Sequence, residues 1–313
     1  MRVRDGFEFT NINYPFNQDR ALRIIDKLHS VDEYVEYINL HKIEEAEIIM
    51  PSLYFLDRCP TVKHIKISPV SISEQIFDFS TIHRSSELIS LHCINEFCFL
   101  EKREMSRAVD IDCSKFSNLK YLSISANRGS TNYENLDALQ TLVVGGYNNA
   151  EGNLKGMFSS KIVDTLQLNE CGERSLDGIE RSENMQCLYL LYNRKLEDIS
   201  ALAKVKSTLK ALRIVNCAKI KDFSVLSELE NLELLELWGS NSLPDLKFLN
   251  NLKKLKTFIF NVYILDGDLT PCLNLSYVYC GKSKRYYNLK DKDLPKGRYI
   301  RGNESIDEWR RLE

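Results

Sequence analysis

The 313-residue chain has only 7 prolines, and its Lys plus Arg total of 42 is almost balanced by 44 Asp plus Glu. The balance leaves no overall charge to favour nucleic acid or an anionic membrane, so either role needs a local patch. No stretch approaches the ~20 apolar residues of a membrane span, and the start MRVRDGFEFT lacks the apolar core of a secretory signal. None of the 9 cysteines forms the CxxC pairs of a structural zinc site. Free thiols in a reducing compartment, the cytoplasm, are the expectation. A Gly-rich phosphate loop, an HExxH helix and a GxSxG elbow are all missing, and the pair Gly145 and Gly146 is too short to cradle phosphate.

What is present is a core-forming composition, 43% hydrophobic and 27% charged, and a nine-residue phrase that keeps returning. It is apolar at positions 1, 4 and 6, with a small residue, Asn or Cys at position 9. Clear copies start at Leu119, Leu139, Val163, Met185, Leu209, Leu232, Leu255 and Leu275, separated by 20, 24, 22, 24, 23, 23 and 20 residues. Looser copies start at Val35, Val62 and Leu88. Because strand side chains alternate, positions 4 and 6 face one side and 3, 5 and 7 the other. Strands repeated at this interval lie side by side only if the chain returns across the back each time, which makes a parallel sheet. The returns repeat too: LEDISAL from Leu196, IKDFSVL from Ile220, LPDLKFL from Leu243 and a weaker DGDLTPC from Asp266. Their apolar residues three apart suit one or two helical turns packed on the strands.

From residue 35 to 281 the pattern resembles a leucine-rich repeat protein, of the roughly 22-residue type found in internalins and phosphatase-regulating repeat proteins. The resemblance implies an α/β fold: a leucine-rich repeat solenoid with a curved, concave parallel β-sheet, short helical or irregular returns and helical caps. We expect an N-terminal cap over 1–34, the repeats over 35–281 with an irregular insertion near 95–117, and a C-terminal cap over 282–313. The Asn17 to His29 stretch, with Leu22, Ile25 and Leu28 on one face, is expected as a capping helix. Ser305 three residues before Glu308 suggests a second, short final helix.

Each chemical candidate has a structural reading beside it. Asp198, Asp222, Asp245 and Asp268 stand before successive returns, where a carboxylate caps exposed backbone N–H groups more readily than a column of acids holds calcium. Cys171, Cys217, Asn127 and Asn193 fill position 9, Cys93 and Cys280 the buried position 6, and Cys187 the displayed position 3. His41, His64 and His92 map to the displayed face but to different positions, so they do not converge on a metal. No metal, cofactor or catalytic group is expected, and the chain is read as a non-enzyme.

The displayed face changes along the chain. Early repeats show modest polar residues, whereas the later ones present Tyr189, Leu191, Arg213, Val215, Leu234, Glu236, Trp238, Ile259, Tyr277 and Tyr279. Large apolar groups on an open sheet need cover, and the patch of about 300 Å² is the size of the centre of a protein interface. A protein partner on the concave face is the expectation, in a regulatory or inhibitory role of the immunity or phosphatase-regulator kind that the resemblance implies. Self-association and cover by the C-terminal segment are the alternatives within that reading. The rival is nucleic-acid binding through the basic stretch from Lys282 to Arg301, where Tyr286, Tyr287 and Tyr299 are interleaved with eight Lys and Arg residues.

Overall fold

The computed structural model describes residues 2–10, 21–25, 28–50, 52–67, 80–82, 87–93, 111–126 and 130–299. The chain divides into two compact units, 1–145 with 158–160, and 146–157 with 161–313. In the first unit, Arg2–Arg4 and Phe7–Thr10 form an antiparallel hairpin, and the second of these strands pairs antiparallel with Ala21–Ile25. From there Ala21–Ile25, Glu45–Ile49, His64–Ile67, Ser90–His92, Tyr121–Ser125 and Thr141–Gly145 run parallel, each beside the next. In the second unit Thr165–Asn169, Cys187–Leu191, Ala211–Val215, Leu234–Trp238, Thr257–Phe260 and Tyr277–Cys280 do the same.

Every clear repeat forms its strand from position 3 onward, and the pairing joins equal positions. Leu188 lies beside Leu212, Leu212 beside Leu235 and Leu235 beside Phe258. Positions 4 and 6 are buried throughout: Leu122, Leu142, Leu166, Leu188, Leu212, Leu235, Phe258 and Val278 are all completely covered. The expected turns across the back are 3-10 helices at Ser200–Val205, Ser224–Glu228, Lys247–Asn251 and Thr270–Asn274. Before each stands the recurring aspartate. Asp198, Asp222 and Asp245 accept from the backbone N–H two residues on at 2.8 Å, and Asp268 does so at 2.9 Å.

Between strand and return the chain reverses through a left-handed residue at position 8: Gly146, Glu170, Tyr192, Asn216 and Gly239 all have positive φ. The backbone N–H of Gly146, Glu170, Tyr192 and Asn216 donates to the position-7 carbonyl of the following repeat, at 2.7 to 2.9 Å. Glycine and asparagine enter this region easily, whereas Glu170 and Tyr192 do so at a cost of about 1 kcal/mol each. Position 9 then ties repeats together. Asn193 is completely buried, accepts from the Cys171 N–H at 2.8 Å and donates to the Leu168 carbonyl at 3.2 Å. Cys217 reaches the carbonyls of Leu190 and Val215 at 3.6 Å.

The N-terminal region departs from the expectation. Ala21–Ile25, placed in the expected helix from Asn17 to His29, is a strand, with Ala21, Leu22 and Ile24 buried. Its apolar spacing fits either period, and pairing with Glu45–Ile49 decides for the sheet. The looser repeat start at Val35 is also incorrect, since Val31–His41 is an α-helix and the strand begins at Glu45. The helix had a legible start. Ser30 and Glu33 form a capping box, with Ser30 Oγ accepting from the Glu33 N–H and the Glu33 carboxylate from the Ser30 N–H. His41 therefore lies in the last helical turn rather than on a strand. The core of the 95–117 insertion, Asn127 and the final helix at Ser305 lie outside the described residues.

At the far end, the edge of the last strand is taken up by the segment that follows. The Val278 N–H donates to the Pro295 carbonyl and the Gly297 N–H to the Ser276 carbonyl, each at 2.9 Å, and Asp291 accepts from the Cys280 N–H at 2.7 Å. An open sheet edge is a template for unwanted pairing, and this segment occupies it.

Asn193→Ala should leave the buried Cys171 N–H without its partner and cost about 1 to 3 kcal/mol, measured by denaturant unfolding. Asp222→Ala, at an exposed cap, should cost less and by the same amount with and without calcium; a calcium-dependent difference would return the aspartate column to metal binding.

Candidate functional site

The displayed face of the second unit is built by the in-register pairing. Position 5 of successive strands brings Gln167, Tyr189, Arg213, Glu236, Ile259 and Tyr279 into one row. Within it, Arg213 Nε stands 3.1 Å from Glu236 Oε2, and the guanidinium lies 4.9 Å from the centre of the Tyr189 ring. Position 7 places Leu191 beside Val215 and Val215 beside Trp238. The indole of Trp238 is laid along the face toward the last strand. A Cβ on Gly281 would come within 3.2 and 3.3 Å of its six-membered ring and 3.1 Å of Asn261 Cβ, so the absence of a side chain at Gly281 makes room for tryptophan.

These groups line a groove of about 400 Å³, bounded by Arg213, Glu236, Trp238, Ile259, Tyr277, Tyr279 and Tyr299. Its rings are interlocked: Trp238 and Tyr279 are 6.1 Å apart, and Tyr299 meets Tyr277 edge-on at 5.4 Å. Tyr279 is 39% exposed and is the most open of the group. One donor at the groove, Trp238 Nε1, is buried and has no acceptor among the described residues, the kind of unrelieved polar cost that calls for an explanation.

Six of the ten residues expected at a partner site, Arg213, Glu236, Trp238, Ile259, Tyr277 and Tyr279, line this one groove. The other four do not line it. Leu191 and Val215 are half-buried beside it, while Leu234 is completely covered and Tyr189 is only 4% exposed. Strands ~4.8 Å apart let the larger neighbours shield smaller groups, so a displayed position is not always an exposed one. The same reason corrects Cys187, which is 1% exposed, with its thiol pushed up to about 11 by burial.

Tyr299 is the groove residue that the repeat pattern could not supply, because it lies beyond the repeats. The basic stretch explains how it arrives. Lys296 donates to the Val278 carbonyl at 2.6 Å and to Asp291 at 2.7 Å, while its ammonium lies 5.8 and 5.7 Å from the Tyr277 and Tyr279 rings. Lys290 donates to the carbonyls of Lys284, Arg285 and Tyr287, and Lys284 sits over the Tyr263 ring at 4.4 Å. Three of the cations offered to nucleic acid thus hold the C-terminal segment together. Arg301 lies outside the described residues.

The first unit's face is different in kind. Arg23, Glu47 and Lys66 stand in register, with Arg23 Nε 3.2 Å from Glu47 and Lys66 Nζ 3.6 Å from the same carboxylate. His64 Nδ1 is 2.8 Å from Ser90 Oγ and His92 Nδ1 is 3.3 Å from the Tyr121 hydroxyl. His64 and His92 are each engaged with a neighbouring strand.

No family model and no curated protein sequence matches the chain. Solved structures do. An internalin of Listeria monocytogenes aligns over 83% of this chain and 73% of its own length, with a TM-score of 0.54 and 17% identity. TLR13, solved as a complex with ssRNA13, aligns over 82% of this chain and 42% of its own length, with a TM-score of 0.51 and 16% identity. A leucine-rich repeat protein of Leptospira interrogans aligns over 81% of each chain at 13% identity, with a TM-score of 0.39.

Gly281→Ala should displace the indole of Trp238. In a background lacking the other tryptophan, Trp309, the emission maximum should shift and the protein should unfold at a lower temperature. Unchanged emission would mean that the indole does not lie over Gly281.

Proposed function

From the leucine-rich repeat fold of this chain, we propose that it is a non-catalytic interaction protein that binds a protein partner through the groove around Trp238. The observation that carries this reading is the aromatic groove itself. Four rings, Ile259 and one ion pair are gathered on a sheet face that in the first unit is lined by charged and hydrogen-bonded groups. Interface hot spots are enriched in Trp, Tyr and Arg, and all three line the groove. The buried Trp238 Nε1, which has no acceptor among the described residues, adds a place for an acceptor from a partner. The Arg213 and Glu236 pair sets the partner's orientation more than its affinity.

A regulatory or inhibitory role is what the family resemblance implies, and the free thiols of all eight described cysteines support a reducing setting such as the cytoplasm. Among the described residues no helix is long and apolar enough to cross a membrane. A second copy of the chain is the other occupant that an aromatic face of this size could take.

The experiment is affinity capture with the purified protein, followed by binding of the identified species to two variants. Tyr279→Ala should weaken binding at unchanged unfolding temperature, because its side chain is already exposed. Trp238→Ala should weaken it about thirtyfold and also lower stability, since the indole lies over Gly281 and beside the Tyr279 ring. Normal binding by both variants would reject the groove, and a concentration-dependent dimer abolished by them would assign it to self-association.

A further inference from the structure

Glu173 is the one carboxylate in the second unit with neither exposure nor a partner for either oxygen among the described residues. The residue is 1% exposed, and both Oε atoms are buried without a hydrogen bond. It does not lie in the groove. It lies two residues after position 9 of its repeat, and the equivalent residues one and two repeats later, Lys195 and Lys219, are exposed. On either side of Glu173 the chain is bonded to the segment Gly146–Met157, whose Tyr147 faces it.

That segment is clamped onto 171–177 by four backbone bonds. The Gly172 N–H donates to the Tyr147 carbonyl at 2.6 Å, and the Arg174 and Ser175 N–H groups donate to Gly152 at 2.6 and 3.1 Å. The Leu154 N–H donates to the Asp177 carbonyl at 2.8 Å. Glu173 sits between the first two of these clamps. The segment is otherwise held within itself by Asn149, which accepts from the Gly152 and Asn153 N–H groups, and it turns through positive φ at Gly146, Gly152 and Gly156. This lobe also carries Leu154 and Met157, both completely covered, so it is packed on the core as well as bonded to 171–177.

The geometry points to a pH-sensitive latch: the 146–157 segment stays docked while Glu173 is neutral, and loosens when Glu173 ionises beneath it. The titratable groups that face Glu173 are Tyr147 from the lobe, with Glu151 beside that phenol, Cys171 from its own segment and Cys217 from further along the repeats. Each is neutral or acidic, so none compensates a buried negative charge. Desolvation accordingly lifts the Glu173 carboxyl from 4.5 to about 7, while the thiols of Cys171 and Cys217 are themselves pushed up by burial and remain protonated. An isolated buried carboxylate is costly, and the cheapest relief is to admit water by lifting what covers it.

The sign follows from linkage. The docked state holds the proton up to about pH 7, whereas an exposed glutamate releases it near 4.5. The docked state is therefore favoured fully below the lower value and loses ground as pH rises between the two. Over pH 5.5 to 8.5, and after division by intrinsic exchange rates, opening of the lobe should increase roughly thirtyfold. Hydrogen exchange of the Leu154, Gly172 and Arg174 amides in the full chain reads this directly. Wild-type protection should fall with a midpoint near neutrality, Glu173→Gln should hold it flat, and the Leu212 and Leu235 strand amides should not follow in either protein.

Three outcomes would overturn the latch. One is an equal pH slope in wild type and Glu173→Gln, and another is a wild-type slope of zero. The third is a parallel loss at the Leu212 and Leu235 amides, which would make the effect global unfolding rather than local undocking. The wild-type titration alone decides the matter should the variant fold poorly.

Discussion

Parallel strands that pair at equal repeat positions are the constraint from which the other features follow. Once Leu188, Leu212, Leu235 and Phe258 are neighbours, every other position of the repeat stacks on its own kind at the strand spacing of ~4.8 Å. A column in the sequence becomes a column in space. The position-9 residues can then bond to a neighbouring repeat, and the position-8 N–H groups can reach the next carbonyl in line. The same rule sets what the face can contain, because a side chain at position 5 always has position-5 neighbours on both sides.

Each unit uses that rule differently. In the first, opposite charges at one position neutralise each other across strands, as Arg23, Glu47 and Lys66 do. Such pairs satisfy one another and leave little to attract a partner. In the second, Arg213 and Glu236 form a single pair amid aromatic groups, and Gly281 opens the space in which Trp238 lies. The groove is thus a local consequence of three choices at positions 5 and 7, made on strands that are otherwise interchangeable. Glu173 is a fourth choice outside the face, a buried carboxylate flanked by backbone bonds to the segment that follows Gly145.

The C-terminal segment shows how a cap and a binding surface can share residues. Its backbone occupies the sheet edge, its Lys290 and Lys296 turn inward onto carbonyls, and its Tyr299 becomes a wall of the groove. Basic composition there is a device for closing a loop, since an ammonium with three donors can gather several carbonyls at once.

The sequence by itself determined the strands from Val62 onward, their inward positions, the aspartate caps and most of the aromatic groove, because apolar periodicity and repeat spacing report directly on which side chains share a face. It did not determine the N-terminal elements. There the Ala21–Ile25 run satisfies both helical and strand spacing, and a capping box at Ser30 competes with a loose repeat match at Val35. Exposure was also beyond it. Leu234 and Cys187 occupy displayed positions, yet neighbouring strands cover them, and Tyr299 enters the groove only through the fold-back of the C-terminal segment. Those facts depend on contacts between residues far apart in the chain, which only the tertiary structure decides.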